Sequence, residues 1–478
     1  MVITETLIMV LAAVLFRFLT SRFNNIRGWL LLGVSTMAIF WLQPAMPIRF
    51  LEFWLPVGTL ALTVFAWLVT ADTDQKSDRS NLWTAFFMVG LVLIVASARY
   101  AGLGEIITAS RPPQISQVLF GLFMLALVGL ALGRFARPGR FWLMGAMIVL
   151  LLIFLILKVP QFSLWGSIAL RSLVGQSSAA ASPFDIRWLG FSYVAFRLIH
   201  TWQDRKSGRM EAYSLMDTVN YVIFYPSITA GPIDRLPRFV KDAHKPIIMF
   251  STEFGKAFYR LIVGIFKKFA IANTLTLLAL NPLNAGQIQS TGWSWVLVYA
   301  YAFQIYFDFA GYTDIAIGIG MLMGVTLPEN FKRPYLKSNL TQFWNNWHMT
   351  LTQWFRAYFY NPFTRRLRKN YRGLSVGWIV LITQFSTMGL IGLWHGVTPN
   401  YLFWGLWHGL GLFINNRFSD WMKPRTAVIQ QRPVLQKMLD GFNTVLTFNF
   451  VALGWVFFAL PSLDLSWRVF GQLFGLGG

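Results

Sequence analysis

Runs of about 16–20 mostly apolar residues, each close to what a helix needs to cross a bilayer, recur from the first residues of this chain to its last. Only 13% of its 478 residues are charged and 55% are hydrophobic, whereas a soluble domain carries about 25% charge. The expected fold is an all-α polytopic membrane protein, with about 10–12 transmembrane helices plus re-entrant helices.

The net charge of +22 comes from 41 basic and 19 acidic residues. In a soluble chain such an excess suggests nucleic acid. Here the basic residues gather in short loops between apolar runs, which fits positive-inside bias and anionic headgroups instead. No nucleic-acid partner is expected. There is no cysteine, which excludes structural disulfides, Cys-ligated zinc and a thiol nucleophile. The first run, Ile3 to Phe16, has Glu5 at its start and Arg17, Arg22 and Arg27 after it. That order opposes a signal peptide and predicts a first span with its N-terminus outside.

Six spans precede residue 190, centred on Ile8–Leu19, Trp29–Trp41, Phe53–Val69, Leu82–Ala96, Val118–Leu132 and Phe141–Leu157. Alternate loops are basic (Arg17 to Arg27; Arg134, Arg137 and Arg140; Arg205, Lys206 and Arg209), and Gly175–Pro183 is a small, polar linker. Residues 1–180 are accordingly assigned to N-terminal transmembrane helices and residues 181–478 to a catalytic core. Beyond Ile186, Pro, Gly and charge interrupt the apolar runs. YVIFYPSITAGPIDRLPRF is too broken to cross and predicts a re-entrant hairpin. Phe254–Leu280 and Trp293–Gly324 are further spans. Thr341–Tyr360, basic on both flanks, is expected to dip into the membrane or lie on its inner surface. Leu374–Trp394 goes out, Tyr401–Ile414 returns and Phe442–Leu460 goes out again. The pentapeptide GLWHG occurs twice, at 392–396 and 405–409.

Three of the five histidines, His348, His395 and His408, lie in apolar, Trp-rich surroundings between Gln304 and Gly409. An ionisable group at membrane depth is costly and by default functional, and a neutral imidazole suits a general base near pH 7. His395 and His408 share one local sequence, which does not rank them. Around His348, residues Asn345, Asn346, Trp347 and Thr350 either line a polar slot or satisfy interfacial backbone. Asp308 and Asp314, six residues apart, do not share a helical face. Hydrogen bonding to Tyr306, Tyr312 or Thr313 is expected of them before a proton relay. His200 and His244 are assigned nothing. Gly373–Gly377 matches a nucleophile elbow, but no strand precedes it and a span follows, so the match is rejected. No metal site is expected.

YFDFAGYTDIAIGIGMLMG, PENFKRPY, FWNNWHMTL, WFR and GLWHG follow one another in that order. As a set they resemble the membrane-bound O-acyltransferases, in their bacterial cell-envelope branch, from about Ile186 onward. GFSYVAFR, AGPIDRLPRF, WHGVTPNYLFWGLWHGLGL and the basic stretch Thr364–Arg372 are most similar to the proteins that D-alanylate teichoic acids. LGWVFFALPSLDLSWRVFGQLFG is more similar to those that O-acetylate alginate. The resemblance implies a ring of helices around a central funnel, with His395 as catalytic base and His348 as second functional residue. Asn345, Trp347, Trp394, Asp308, Arg365, Arg366 and Arg368 are taken as substrate-binding candidates beside them, the arginines because five basic residues fall in the eight positions 365–372. The resemblance implies no bound cofactor but a thioester co-substrate, an acyl carrier protein's phosphopantetheine or acyl-CoA, at the cytoplasmic face. The acceptor is a hydroxyl of an extracytoplasmic glycan or polymer. The family's usual Arg before the Trp–His pair and Asp after WFR are here Asn346 and Ala357, so donor recognition is expected to differ.

The expected function is therefore transfer of a D-alanyl or acetyl group across a bacterial inner (cytoplasmic) membrane by a multi-pass protein. Its partners would be the bilayer, the donor, the acceptor polymer and a periplasmic transferase. Two other classes compete. A transporter or flippase would share broken helices and buried ionisable groups, although no inverted repeat is visible. A scaffold that docks a periplasmic acetyltransferase would leave His395 replaceable.

Overall fold

The computed structural model describes residues 2–136 and 139–476, and among them there is no strand. The six N-terminal runs form α1 (Ile3–Arg22), α2 (Arg27–Trp41), α3 (Leu51–Thr70), α4 (Arg79–Ser97), α5 (Ile115–Phe135) and α6 (Arg140–Lys158). Arg137, in the loop between α5 and α6, lies outside the described residues. A helix the sequence reading passed over, α7 (Pro160–Leu173), follows and starts with Pro in its first turn. Then come α8 (Phe191–Lys206), α9 (Leu215–Val222), α10 (Leu236–Ala243) and α11 (Thr252–Ile265), which continues into a π-helical segment, Phe266–Ala272. Next are α12 (Thr291–Leu322), α13 (Leu340–Trp344), α14 (Met349–Phe355), a second π-helical segment (Arg356–Tyr360) and α15 (Asn361–Asn370). The chain ends with α16 (Val376–His395), α17 (Pro399–Gln430), α18 (Pro433–Ala459) and α19 (Leu463–Leu473).

Among the described residues, seven helices, α1, α3, α4, α5, α6, α16 and α18, are long and apolar enough to cross a membrane. At 15 residues α2 is short for a span, whereas α12 and α17 have 32 residues each but carry charge or polar stretches within them. The returning helix and the one after it extend further than expected. Residues 415–430 continue α17, where Asp420 pairs with Arg417 and Lys423 one turn away on either side, and α18 begins at Pro433.

The helices pack into two compact units, Met1–Leu261 with Ile315–Pro328 and Ile262–Asp314 with Glu329–Gly478. Packing draws these boundaries, while the division at residue 180 followed chemistry-bearing sequence.

In the first unit, two buried arginines fasten the end of α12. Arg17 donates to the carbonyls of Met321, Leu322 and Met249, and Arg27 donates to those of Met323 and Gly324. A cation at a helix C-terminus meets both its orphan carbonyls and its dipole. The predicted re-entrant hairpin is two eight-residue helices, α9 and α10, joined by a largely buried irregular segment. Irregular backbone survives at membrane depth only when its polar groups are satisfied. Arg197 on α8, 1% exposed, does this by donating to the carbonyls of Tyr221, Val222 and Ser227. His244 contacts Asp217 at 2.8 Å, so the two ends of the hairpin meet. His200 shares a hydrogen bond with the Tyr221 hydroxyl, also at 2.8 Å. In the loop after α7, Asp185 accepts from Ser167, Arg171 and the Ser182 N–H. Burial opposes its ionisation, but these hydrogen bonds and the Arg171 charge hold the carboxyl below its usual range.

In the second unit, the two GLWHG pentapeptides explain each other. Gly392 on α16 lies against the Tyr401 carbonyl, four residues before Gly405. Gly405 on α17 lies against the Met388 carbonyl, four residues before Gly392. The repeat thus marks a reciprocal close crossing of two antiparallel helices, where any side chain would meet backbone. Ser375 caps α16, its side chain accepting from the Trp378 N–H, a local role that accounts for the serine of the rejected elbow.

Candidate active site

The site is built in the second unit on a turn that sequence alone did not single out. Asn330, fully buried, accepts with its side-chain oxygen from both the backbone N–H and the hydroxyl of Thr350. Its own carbonyl accepts from the Met349 N–H. These bonds hold the start of α14, where His348 stands with φ 42 and ψ 54. A left-handed conformation is uncommon for a residue with a side chain and marks places where the surroundings over-determine the backbone. The only sign of Asn330 in the sequence was its place in PENF.

His348 is 3% exposed. Its ring lies edge-on to Phe309 of α12 at 4.7 Å and 6.4 Å from the Trp394 ring. His395, the last residue of α16, is half-buried. Its ring lies 4.5 Å from Trp394, 4.9 Å from Phe458 and 5.3 Å from Trp404. The indole of Trp394 is therefore a wall common to both histidines. The fold brings together His348, Trp394 and His395, from segments some fifty residues apart.

His408 stands in a different setting. It is fully buried, and neither ring nitrogen has a hydrogen-bond partner among the described residues. Trp344 and Trp404 contact it at 5.1 Å each, Phe450 at 6.0 Å, and Phe343 stacks on it at 6.4 Å. It fills space as an aromatic ring.

The residues expected around His348 scatter. Trp347 is buried and stacks on Phe343 at 5.6 Å. Thr350 is spent on Asn330, and exposed Asn345 accepts from Arg356 at 2.5 Å. The Asn346 amide donates to the Gln342 carbonyl one turn back, and Ala357 lies in the π-helical segment.

Each aspartate has a lysine partner that its neighbours in sequence did not announce. Lys268 meets Asp308 at 2.5 Å and Lys267 meets Asp314 at 2.7 Å. Consecutive residues on a regular helix diverge by about 100°. The wider turn of a π segment, a feature frequent at functional sites, lets both lysines address α12. Asp308 keeps 44% of its side chain exposed against 10% for Asp314, so only Asp308 retains access to a ligand. Arg365, Arg366 and Arg368 are exposed together on α15. Among the described residues, no three His, Asp or Glu side chains are grouped as a metal site requires.

Such an arrangement suits proton transfer. A half-buried imidazole, open to water or substrate, and a deeply buried one face the same indole.

Comparisons with known proteins agree with this chemistry. Residues 82–452 match the profile of the membrane-bound O-acyltransferase family. Over 355 residues the chain is 32% identical to the probable alginate O-acetylase AlgI of Pseudomonas aeruginosa, covering 73% of this chain and 63% of that protein. It is 32% identical to a teichoic acid D-alanyltransferase of Bacillus subtilis, over 57% of this chain and 69% of that one. It is 31% identical to a peptidoglycan O-acetyltransferase of Helicobacter pylori, over 55% and 47%. The chain thus spans a little under two thirds of the length of the P. aeruginosa relative. With the profile covering most of its length and the histidine motifs in place, the chain belongs to the membrane-bound O-acyltransferase family.

Proposed function

We propose that this chain is an O-acyltransferase of a bacterial cytoplasmic membrane. It moves a D-alanyl or acetyl group from a thioester on the cytoplasmic side to a hydroxyl of an extracytoplasmic cell-envelope polymer. The observation that carries this reading is the convergence of His348 and His395 on the Trp394 ring. The relatives' names, for alginate, teichoic acid and peptidoglycan acylation, support the substrate class.

In this reading His395 takes the proton of the acceptor hydroxyl as its oxygen attacks the thioester carbonyl carbon. The carbon–sulfur bond then breaks and the leaving thiolate takes up the proton. No enzyme nucleophile is needed, which suits a chain without cysteine. His348, deeper and held by the Asn330 turn, orders the donor carbonyl. The exposed arginines of α15 receive the acidic donor, a phosphopantetheinyl carrier or coenzyme A.

The test is polymer acylation in cells carrying His395→Ala at matched membrane abundance. Loss of a general base costs roughly 10²–10⁴-fold. Undiminished acylation would remove the base from the reading and leave a docking scaffold as the better description.

A further inference from the structure

Three cations beside the His348 turn have no part in the chemistry above. Lys332, Arg333 and Arg356 are exposed, and no carboxylate pairs with any of them among the described residues. From residue 329 to residue 356 the chain carries four cations, these three and Lys337, against one carboxylate, Glu329. Backbone hydrogen bonds hold the first two in place. The Lys332 N–H donates to the Asn346 carbonyl at 3.1 Å and the Met349 N–H to the Asn330 carbonyl at 3.0 Å, so segments 330–333 and 346–349 run side by side. Arg356 comes to the same place from the second π-helical segment, donating to the Asn345 side-chain oxygen at 2.5 Å.

The backbone there is strained. Among the described residues only three non-glycine residues are left-handed, and two of them, Arg333 and His348, belong to this pair of segments. Arg333, with φ 48 and ψ 58, also precedes Pro334, and a residue before proline is ordinarily extended. Strain of this kind collects at ligand clamps and active sites, where the surroundings over-determine it. A merely solvated charged surface needs no such hold on an arginine's backbone. The path to the chemistry is short. Asn346, bonded to Lys332, is two residues from His348, at most about 7 Å of chain. Phe331, next to Lys332, contacts Phe309 at 5.0 Å, and Phe309 contacts the His348 ring at 4.7 Å.

We propose that Lys332, Arg333 and Arg356 form the subsite for the phosphate at the end of the donor's pantetheine arm. The inference rests on the thioester donor of the reading above. Carrier-bound phosphopantetheine and coenzyme A share that phosphate, which lies at the opposite end of the arm from the sulfur. Ammonium and guanidinium groups bind it through charge-assisted hydrogen bonds, and a guanidinium plane can offer two at once. With the phosphate on this rim, the arm runs inward past Phe331 and Phe309, and the thioester reaches the His348 ring. The arginines of α15 are left to meet what lies beyond the phosphate, an acidic carrier or a nucleotide.

The test measures binding and not transfer, so its failure and that of the acyltransferase reading are separate events. The probes are phosphopantetheine and pantetheine, which differ by one phosphate, titrated by saturation-transfer NMR against the full chain in phosphatidylcholine nanodiscs. That bilayer has no net charge, so its headgroups do not compete as an anionic lipid would. Phosphopantetheine should bind about tenfold or more tightly than pantetheine, as hydrogen bonds to a charged group imply. Lys332→Gln combined with Arg333→Asn, since asparagine tolerates left-handed backbone, should bring the two affinities together by weakening phosphopantetheine alone. Lys437→Gln, which removes an exposed cation of α18, should keep the wild-type ratio. Equal affinities in the wild type would overturn the inference and leave these cations to anionic headgroups. A preference that persists in the double variant would overturn it, and so would equal weakening of both probes, the mark of a structural role.

Discussion

The reciprocal glycine contact between α16 and α17 makes a sharp prediction. A methyl group at Gly405 would fall well inside contact distance of the Met388 carbonyl oxygen, with the carbonyl carbon at 2.9 Å, and real Cβ atoms essentially never come under 3.0 Å. Backbone is the obstacle, so no rotamer relieves it. Gly405→Ala must part the helices by on the order of 0.5–1 Å, and a misplacement of about 1 Å can cost roughly 10²-fold in rate. The displaced element carries Trp404, whose ring lies 5.3 Å from His395. Overpacking of this kind also destabilises by about 1–3 kcal/mol. Gly389 supplies the control on the same interface. A methyl there would stand 3.7 Å from the Leu402 side chain, an ordinary contact, and alanine is better than glycine inside a helix by up to about 1 kcal/mol. The assay pairs polymer acylation at matched abundance with thermal melting of the detergent-purified protein. Gly405→Ala and Gly392→Ala should lower both turnover and Tm, and Gly389→Ala neither. Wild-type melting and turnover in Gly405→Ala would refute the close crossing and, with it, the structural meaning of the repeated pentapeptide.

Three other perturbations follow from the site. His408→Phe keeps an aromatic ring in a cage that offers no hydrogen bond among the described residues, so turnover and Tm should stay close to wild type. His408→Ala should leave a cavity costing about 2–5 kcal/mol while preserving turnover per folded molecule, and abolished turnover in a well-folded His408→Phe protein would make His408 a functional base after all. Asp314→Ala should destabilise by about 3–5 kcal/mol because it strands the charge of Lys267 in a mostly buried pair. Asp308→Ala strands Lys268, whose side chain is 13% exposed against 27% for Lys267, and should cost at least as much; a wild-type Tm in either variant would show that the lysine it leaves behind reaches water. Reversing Arg365, Arg366 and Arg368 to Glu should raise the donor concentration needed for half-maximal transfer and leave membrane insertion intact. Unchanged donor dependence would detach α15 from donor binding.

The membrane class and most helix positions were legible in the sequence because both depend on patterns a few residues long. A run of some twenty apolar residues without charge has few fates in water or lipid, and α1 to α6, α11, α12 and α16 lie where the runs are. The extensions of α17 and α18 were missed because residues 415–441 lack a sustained apolar run, and in α17 ion pairs one turn apart around Asp420 support the helix instead. The histidine motifs named the site residues but did not arrange them. His395 and His408 have identical neighbours in sequence, and only packing separates them. One reaches the end of α16 beside Trp394, while the other is sealed among Trp344, Trp404, Phe343 and Phe450. The lysines that pair with Asp308 and Asp314 were not foreseen because residues about forty positions upstream leave no local trace. Likewise, nothing in WNNWHMTL announces a left-handed His348; Asn330, eighteen positions earlier, holds it there. Sequence thus determined what each segment is, through hydrophobicity and helical periodicity. Tertiary structure alone decided which side chains meet, because those contacts join residues that only folding brings within bonding distance.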